Sequence, residues 1–262
     1  MKIMKNEIHP SAIVNPHAEI DDGVSIGPFC IVSEGVHIKK GTKLISHVII
    51  EGNTEIGENC IVYPYTSIGL PPQDLKYKGE KTSVKIGNDN IIREYITIHR
   101  ASVGGDGVTI IGNKNFLMAY VHIAHDCKIG SNVIMANAAT LGGHVVVEDF
   151  AFIGGIVAIH QFTRIGAYAM VGGFSGVGQD ILPYTIASGA RAKLFGLNTI
   201  GLKRNNFPDS TINDLKKAYK ILFKEKRTLT DAVKKIQEDL PYTDEIKHLI
   251  EFIKENKRGI CR

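Results

Sequence analysis

The sequence predicts a β-solenoid of six-residue repeats followed by a small helical domain. Three observations support this prediction. An aliphatic residue recurs every six positions over most of the chain, compact residues fill a second column of the same repeat, and helical periodicity replaces the repeat from about residue 192. A short fixed repeat is typical of solenoids, in which each turn packs on its neighbours.

The aliphatic column extends from Ile8 to Val177. Steps of six residues from Ile8 reach Ile68 without a miss, and the same step resumes between residues 86 and 98 and again between residues 111 and 177, which gives 26 hexads. A second column, four residues later, has side chains that are compact enough to point inward. Its members include Ala12, Val24, Thr42, Val48, Thr54, Val121, Val133, Ala139 and three of the four cysteines, Cys30, Cys60 and Cys127.

This repeat resembles the hexapeptide repeat of left-handed parallel β-helix proteins, in which three hexads form one triangular coil. The 26 hexads would then form between eight and nine coils, with stacked positions 18 residues apart. Such proteins are typically trimers packed along their prism axes, so the resemblance implies a homotrimer. Corners with left-handed backbone angles are expected where glycine or asparagine recurs. These positions are Gly23, Gly35, Gly41, Asn53 and Asn59.

Two segments interrupt the repeat. Residues 69–85 replace two hexads while keeping the phase, which predicts an excursion from the prism. Residues 101–110 add seven residues and are rich in glycine, which predicts a flexible loop beside the functional site.

The predicted domains are a β-helix over residues 1–191 and a helical domain over residues 192–262. Three helices are expected, with Asp209, Thr230 and Thr243 as N-caps, and the last residues, 257–262, are expected to fray.

Composition limits the class of protein. The net charge is +4, and residues 203–262 carry 15 Lys and Arg against 10 Asp and Glu. Most of these charges are expected to form the solvated faces of helices, and the excess is also compatible with an acidic partner or a phosphate-bearing substrate. No nucleic-acid recognition motif accompanies it. No apolar stretch approaches the ~18 residues of a membrane span, and the N-terminus lacks an apolar signal region, so we expect a cytoplasmic protein. The unpaired cysteines, Cys261 among them, are expected to be free thiols.

The candidate catalytic segment is Val121–Cys127. A carboxylate beside an imidazole can orient the ring and stabilise its protonated form, so His125 and Asp126 are the first candidates. The coil arithmetic places His99, residue 124, Gly142 and His160 on one vertical line. The residues expected to gather there are His122, His125, Gly143, His144, His160 and Gln161.

Two alternatives remain open for this cluster. The histidines could line a polar trimer interface, an interpretation that suits His99 best. They could also bind zinc, as histidines from adjacent coils do in β-helix carbonic anhydrases, which would make the protein a zinc-dependent hydratase. Lys76 and Arg204 favour an anionic substrate instead.

A wider set of motifs resembles one family. The segments are Gln73-Asp74-Leu75-Lys76-Tyr77, Val121–Cys127, Leu141-Gly142-Gly143-His144, Ala158-Ile159-His160-Gln161-Phe162 and Phe195–Arg204. Together they resemble the acyl-ACP:UDP-N-acetylglucosamine O-acyltransferases of lipid A biosynthesis over nearly the whole chain. The resemblance implies an acyltransferase that moves a 3-hydroxyacyl chain from acyl carrier protein to the 3-position of UDP-N-acetylglucosamine.

The resemblance also implies roles for individual residues. His125 would be the general base, Asp126 would orient it, and the Gly143 amide would stabilise the oxyanion. Acyl transfer of this kind needs neither a metal nor another cofactor. The substrate-binding residues implied by the family are Gln73, Asp74, Lys76, His122, His144, His160, Gln161, Asn198 and Arg204.

Gly155, Gly173 and Arg191 would line the acyl pocket, where a glycine at position 173 leaves room for a longer chain. Arg191 stands where the family has a histidine, and Asn205 stands where a second arginine is common. The resemblance leaves open the acyl length, the residues that dock acyl carrier protein, and whether the acceptor is the sugar 3-hydroxyl or the 3-amino group of an analogue.

Overall fold

A computed structural model describes residues 6–262 and has the predicted solenoid architecture. Most of its strands are two residues long, as expected where the chain turns every six residues. The strands are β1 (Glu7–Ile8), β2 (Ile13–Val14), β3 (Glu19–Ile20), β4 (Ser25–Ile26), β5 (Ile31–Val32), β6 (His37–Ile38), β7 (Lys43–Leu44), β8 (Ile49–Ile50), β9 (Asn53–Ile56), β10 (Ile61–Val62), β11 (Ser67–Leu70), β12 (Ser83–Ile86), β13 (Ile91–Ile92), β14 (Thr97–His99), β15 (Val108–Ile111), β16 (Phe116–Leu117), β17 (His122–Ile123), β18 (Lys128–Ile129), β19 (Ile134–Met135), β20 (Thr140–Leu141), β21 (Val146–Val147), β22 (Phe152–Ile153), β23 (Ala158–Ile159), β24 (Arg164–Ile165), β25 (Met170–Val171), β26 (Gly176–Val177), β27 (Thr185–Ser188) and β28 (Lys193–Leu197).

Every third strand belongs to the same sheet, so the prism has three faces. The first face is β1-β4-β7-β10-β13-β16-β19-β22-β25-β27-β28, the second is β2-β5-β8-β11-β14-β17-β20-β23-β26, and the third is β24-β21-β18-β15-β12-β9-β6-β3. Pairing is parallel with an 18-residue step, as in Ile49 with Ser67. The step widens to 25 residues between Thr97 and His122 because the Gly-rich loop lies within that coil.

The aliphatic column fills the core of the prism. Its members from Ile26 to Val177 are almost completely buried, and Cys30, Cys60 and Cys127 are buried beside them. All four cysteines are free thiols, as expected. Burial raises the pKa of the Cys127 thiol to about 12, so this sulfur packs as a small apolar group.

The corners differ in part from the prediction. Gly23, Gly35, Gly41 and Asn59 do have positive φ, but Asn53 lies in β9 and Gly52 takes the turn instead, with φ of 64°. Many other corners are aromatic. Phe29, His47, Tyr65, Tyr95 and Tyr120 all have positive φ.

These five rings form a ladder along the edge between the first and second faces. Successive ring centroids are 5.0, 4.9, 5.0 and 5.0 Å apart. A residue with a Cβ is strained in the left-handed conformation, whereas glycine is not. Stacking of the rings between coils offsets this strain. The tyrosine and phenylalanine rings are about half exposed.

The three faces differ in the side chains that they point outward. From β10 upward the first face is apolar, whereas the third face is mostly charged. The outward residues of the first face are Ile61, Ile91, Phe116, Ile134, Phe152, Met170 and Ile186, and those of the third face include Glu55, Lys85, Lys128 and Arg164.

The helices begin later than residue 192. Lys193–Leu197 form strand β28, which pairs antiparallel with β27 and extends the first face. The helices are α1 (Thr199–Arg204), α2 (Asp209–Lys224), α3 (Leu229–Asp239) and α4 (Asp244–Lys254). None of the helices in the described part of the chain is long and apolar enough to cross a membrane. The division at residues 191 and 192 stays a prediction.

Two of the three predicted caps are wrong. Thr243 caps α4, but Thr228 caps α3 in place of Thr230, and Pro208 precedes α2 without a side-chain cap. Asp209 is the first residue of α2, where its negative charge interacts favourably with the positive end of the helix dipole.

The helical segment is fastened to the prism through Arg164. Its guanidinium bonds Asp180 and Glu255, donates to the Phe252 carbonyl and lies 3.9 Å above the Phe252 ring. The C-terminus adds a further contact, since Cys261 N donates to Asp180 O. Ile260 and Cys261 are buried, so the expected fraying is wrong for them.

Gly27 tests how closely the coils stack. A Cβ at this position would collide with the backbone carbonyl of Ile45 in the next coil. We expect Gly27→Ala to destabilise the protein by about 1–3 kcal/mol, typical of overpacking, and to lower the melting temperature by several degrees in circular dichroism. The control is Gly178→Ala, where a Cβ would meet nothing within 4 Å. Equal melting temperatures for the two variants would contradict the stacking argument.

Candidate active site

His125 and Asp126 form a hydrogen-bonded pair at the corner between the second and third faces. His125 Nδ1 lies 2.8 Å from Asp126 Oδ2. A carboxylate can only accept, so Nδ1 is the donor of this hydrogen bond, and Nε2 is the acceptor nitrogen of the neutral ring. Asp126 has the left-handed φ of 60° that turns the chain at this corner. The pair therefore has the arrangement of a general base with its orienting group.

The Gly-rich loop holds the carboxylate in place. Ser102 donates to Asp126 Oδ2 from both its amide, at 2.9 Å, and its hydroxyl, at 2.8 Å. Thr109 Oγ1 accepts from the Asp126 amide. Gly105 lies so close that a Cβ there would collide with Asp126 Oδ1. Ser102, Gly105 and Thr109 escaped the sequence prediction, although the seven-residue insertion one coil before His125 marks their location.

Gly143 lies one coil above His125. A Cβ on Gly143 would come within 2.7 Å of His125 Nε2, so only glycine leaves room for the imidazole. Within residues 6–262 the Gly143 amide makes no hydrogen bond to the protein. A free N–H beside a base can stabilise negative charge that develops on a substrate oxygen.

His122 and His99 extend the cluster downward. Thr97 Oγ1 is 2.7 Å from His122 Nδ1, and the His99 and His122 rings meet edge to face at 5.1 Å. Burial, followed by the neighbouring His125, lowers the pKa of His122. Burial, followed by His122 and His125, lowers the pKa of His99 to about 4. Both rings are therefore neutral near pH 7, when imidazole can donate one hydrogen bond and accept another.

His144 is stacked on Phe162 at 4.5 Å, and its ring meets His125 edge to face at 5.2 Å. Ligand atoms of His125, Asp126 and His144 lie within 4.8 Å of one another, which could accommodate a metal ion. However, Asp126 Oδ2 already accepts from His125 and twice from Ser102. A zinc ion at that oxygen would displace these protons, so the donor set suits the hydrogen-bonded pair better.

A groove of about 500 Å³ runs over the second face, and six of the predicted residues line it. Asp74 and Lys76 lie on the excursion loop but not in the wall of the groove. Asp74 caps the loop by accepting from the Lys76 amide at 2.9 Å. The predicted residues that line the groove are Gln73, His122, His125, Gly143, His160 and Gln161, and His99 joins them.

Asn198 and Arg204 lie elsewhere, in a groove of about 440 Å³ on the first face. This groove shares no lining residue with the histidine groove. Asn198 also has a structural role, because it caps α1 by accepting from the Gly201 amide and donates to the Tyr168 carbonyl. Asn205 lines the same groove beside Arg204.

The predicted acyl-pocket residues also occupy two places. Gly173 lies one coil above Gly155 at the edge between the first and second faces, and its Cβ would be 3.3 Å from Gly155 O. Arg191 lies on the second face in a groove of about 520 Å³ whose walls include His160 and Cys261. His160 also lines the histidine groove, so the two second-face grooves lie next to each other.

Comparison with known families gives two matches. Residues 108–143 match the bacterial transferase hexapeptide family, and residues 180–261 match the family described as UDP N-acetylglucosamine O-acyltransferase, domain 2. The fold and these family matches thus define an acyltransferase of the hexapeptide-repeat class.

Individual relatives extend the match over nearly the whole chain. The acyl-[acyl-carrier-protein]–UDP-N-acetylglucosamine O-acyltransferase of Thermodesulfovibrio yellowstonii is 70% identical over 257 residues, 98% of this chain and 100% of that protein. The protein of the same name from Syntrophobacter fumaroxidans is 48% identical over the same shares. The structure described as LpxA from Acinetobacter baumannii has a TM-score of 0.95 and 43% identity, covering 97% of this chain and 99% of its own. This chain belongs to the acyl-[acyl-carrier-protein]–UDP-N-acetylglucosamine O-acyltransferase family, and the predicted family and left-handed β-helix are confirmed.

The buried ring of His99 makes folding sensitive to pH. Its pKa falls from 6.5 in the unfolded chain to about 4 in the folded protein. Between these values the unfolded chain binds a proton that the folded protein does not, so stability decreases as pH falls from about 6.5 to about 4. We expect His99→Gln to flatten this decrease in urea unfolding at fixed protein concentration. Parallel slopes for wild type and variant would contradict the assignment.

Proposed function

We propose that this enzyme transfers a 3-hydroxyacyl chain from acyl carrier protein to the 3-position of UDP-N-acetylglucosamine, the first step of lipid A biosynthesis, with His125 as general base. The observation that carries the proposal is the orientation of His125. Its Nδ1 is fixed by Asp126 at 2.8 Å, and its Nε2 lies beside Gly143, whose amide is free within the described chain. Family membership supplies the substrates.

The chemistry needs only a base and an oxyanion donor. His125 Nε2 takes the proton of the sugar 3-hydroxyl as its oxygen attacks the thioester carbon. The Gly143 N–H donates to the oxygen of the tetrahedral intermediate. When the C–S bond breaks, the imidazolium returns the proton to the departing thiolate of the carrier. Asp126 stabilises that imidazolium without taking its proton.

Three further groove residues, together with His144, whose ring meets that of His125, would bind the acceptor. His122, His144, His160 and Gln161 contact the sugar and phosphates in this proposal. Neutral His122 suits an uncharged hydroxyl, because its lowered pKa leaves it without a formal charge. Gln73 reaches the groove from the excursion loop, and Asp74 and Lys76 follow it on the same loop.

The separation of Asn198 and Arg204 from the histidines supports a homotrimer with shared sites. In a single chain the outward side of the first face is apolar, and Phe152 and Met170 point away from the prism. Packed against the second face of a neighbouring copy, it would bring Asn198 and Arg204 to that copy's histidine groove. A closed ring of three such heterologous contacts gives three equivalent sites, where Arg204 would bind the pyrophosphate.

The acyl chain would then extend along the same interface. Gly155 and Gly173 leave space at the edge of the first face, and Arg191 lies at the upper end of the second-face groove. The absence of a side chain at Gly173 favours a longer acyl chain. The basic C-terminal segment suits acidic acyl carrier protein, and the proposal includes a cytoplasmic location.

His125→Ala tests the base directly. We expect turnover to fall by about 10²–10⁴-fold while the protein stays folded, since general-base catalysis contributes on that scale. The assay follows transfer from 3-hydroxyacyl carrier protein to UDP-N-acetylglucosamine and to its 3-amino analogue, with His17→Ala, at an exposed position outside the groove, as the control. Near-normal turnover would refute the base assignment.

Stoichiometric zinc with chelator-sensitive activity would instead favour a metal site at His125, Asp126 and His144.

A mixing experiment tests the shared site. His125→Ala and Arg204→Ala each remove one half of every site, so each variant should be nearly inactive alone. When the two are unfolded together and refolded as mixed trimers, each mixed trimer regains one complete site, and roughly a quarter of all sites become complete in a random equal mixture. Recovery of about a quarter of wild-type activity supports sites between copies. No recovery, with mixed trimers verified by mass, would show that both residues act within one chain.

A further inference from the structure

The excursion loop carries Gln73, Asp74 and Lys76, yet it has little packing of its own. Gln73 and Lys76 are exposed, and Leu75 at the tip is completely exposed. A polar loop with few buried contacts is drawn from the least stable part of a fold. Apart from the buried Pro72, the anchor that holds Gln73 over the histidine groove is identified by the contacts of Arg100.

Arg100 follows His99 directly, and its side chain turns back onto the excursion. Arg100 Nε donates to Tyr77 Oη at 3.0 Å, and one terminal nitrogen donates to the Gly69 carbonyl at 3.0 Å. The guanidinium carbon lies 5.6 Å from the centre of the Tyr77 ring. Tyr77 Oη in turn donates to the Glu80 carbonyl at 2.9 Å. One guanidinium thus connects Gly69, where the excursion begins, to Tyr77 and Glu80 on the far side of its tip.

Backbone contacts fix Arg100 to the rigid prism. Its amide donates to the Leu70 carbonyl at 3.1 Å, and Leu70 pairs with His99 between β11 and β14. Gly52, two coils below Arg100, leaves space for the side chain, because a Cβ there would come within 2.7 Å of the guanidinium. The planar guanidinium can donate in two directions while stacking on a ring, which a lysine ammonium cannot do.

We propose that Arg100 is a positioning residue that holds the excursion loop, through Tyr77, in the conformation that presents Gln73, Asp74 and Lys76 to the acceptor substrate. The inference rests on the proposed function for the identity of that acceptor. Arg100 itself does not line the histidine groove. Its side chain also makes no contact with Ser102 or Asp126, so it acts on binding and leaves the base unaltered.

The expected signature is a change in KM without a change in kcat. In Arg100→Ala the substrate itself must order the loop, and this ordering uses part of the binding free energy. The KM for UDP-N-acetylglucosamine should therefore rise roughly 10-fold. kcat should stay within about threefold, and its pH profile should not move, because His125 and Asp126 keep their contacts. Arg100→Lys should bring the KM only part of the way back to the wild-type value. Lysine keeps the positive charge but lacks the planar guanidinium that donates in two directions.

Tyr77→Phe tests the connection between the two residues. It keeps the ring under the guanidinium and removes the oxygen that joins Arg100 to Glu80. We call Arg100 and Tyr77 together the clamp. If the two residues act as one unit, the double variant Arg100→Ala with Tyr77→Phe should raise the KM no further than Arg100→Ala alone. Additive effects would overturn the proposed connection. If Arg100→Ala fails to fold, Arg100→Lys and Tyr77→Phe carry the same comparison.

Trypsin provides a readout that does not depend on activity. The loop contains Lys76, Lys78 and Lys81, and cleavage after them should be several times faster in Arg100→Ala than in wild type. The control is Lys39→Ala, which removes an ion pair with Glu55 on the third face. Wild-type cleavage rates or an unchanged KM would overturn the clamp, as would a fall in kcat at constant KM. Absence of transfer by the wild-type enzyme would overturn the proposed function, and the cleavage rates would still decide the clamp.

Discussion

The structure depends on the register of parallel hydrogen bonds between successive coils. Backbone amides bond to carbonyl groups of neighbouring coils, as His122 N does to Ala139 O, so residues 18 apart in the sequence are stacked about 4.8 Å apart in space. His125, Gly143 and Gln161 are neighbours for this reason alone. The same bonds hold the imidazole and the Gly143 amide at a fixed separation, which is what a base and an oxyanion donor require. A globular enzyme must achieve this by packing distant elements together.

Close stacking also dictates which residues can occupy the site. At Gly143 any side chain would displace the His125 ring, and at Gly105 any side chain would collide with Asp126. Glycine at these positions therefore provides space for neighbouring functional groups. The ladder from Phe29 to Tyr120 shows the opposite solution, because there the corners accept large rings that stack on one another. The candidate site lies on a different edge, between the second and third faces, where glycine and polar residues stand beside His125.

Much of this could be predicted from the sequence because the repeat converts linear spacing into three-dimensional proximity. The core column and the vertical line through His99, residue 124, Gly142 and His160 follow from counting, and the free thiols follow from the place of three cysteines in the repeat. Strand β28 could not be predicted in this way, since it pairs antiparallel and has no hexad pattern. The buried tail escaped prediction as well, because Cys261 is held by Asp180, which is 81 residues away in the sequence. The same applies to Ser102, whose contact with Asp126 depends on how an irregular loop folds back.

The irregular segments lie where the periodic coils cannot supply specificity. A regular hexad can offer a side chain only at fixed outward positions, and these repeat identically in every coil. The excursion through Gln73, the loop through Ser102 and the hairpin that carries Arg191 all depart from the repeat, and all three border the second face. The periodic part supplies rigidity and distance, whereas these insertions supply the groups that repetition cannot place. An insertion leaves the stacking of the coils above and below unchanged, as the intact pairing of Thr97 with His122 demonstrates. The excursion through Gln73 and the hairpin that carries Arg191 can therefore vary while the His125–Asp126 pair remains fixed. The Gly-rich loop and Gly143 do not have this freedom, because Ser102 bonds Asp126 and a side chain at Gly143 would collide with His125.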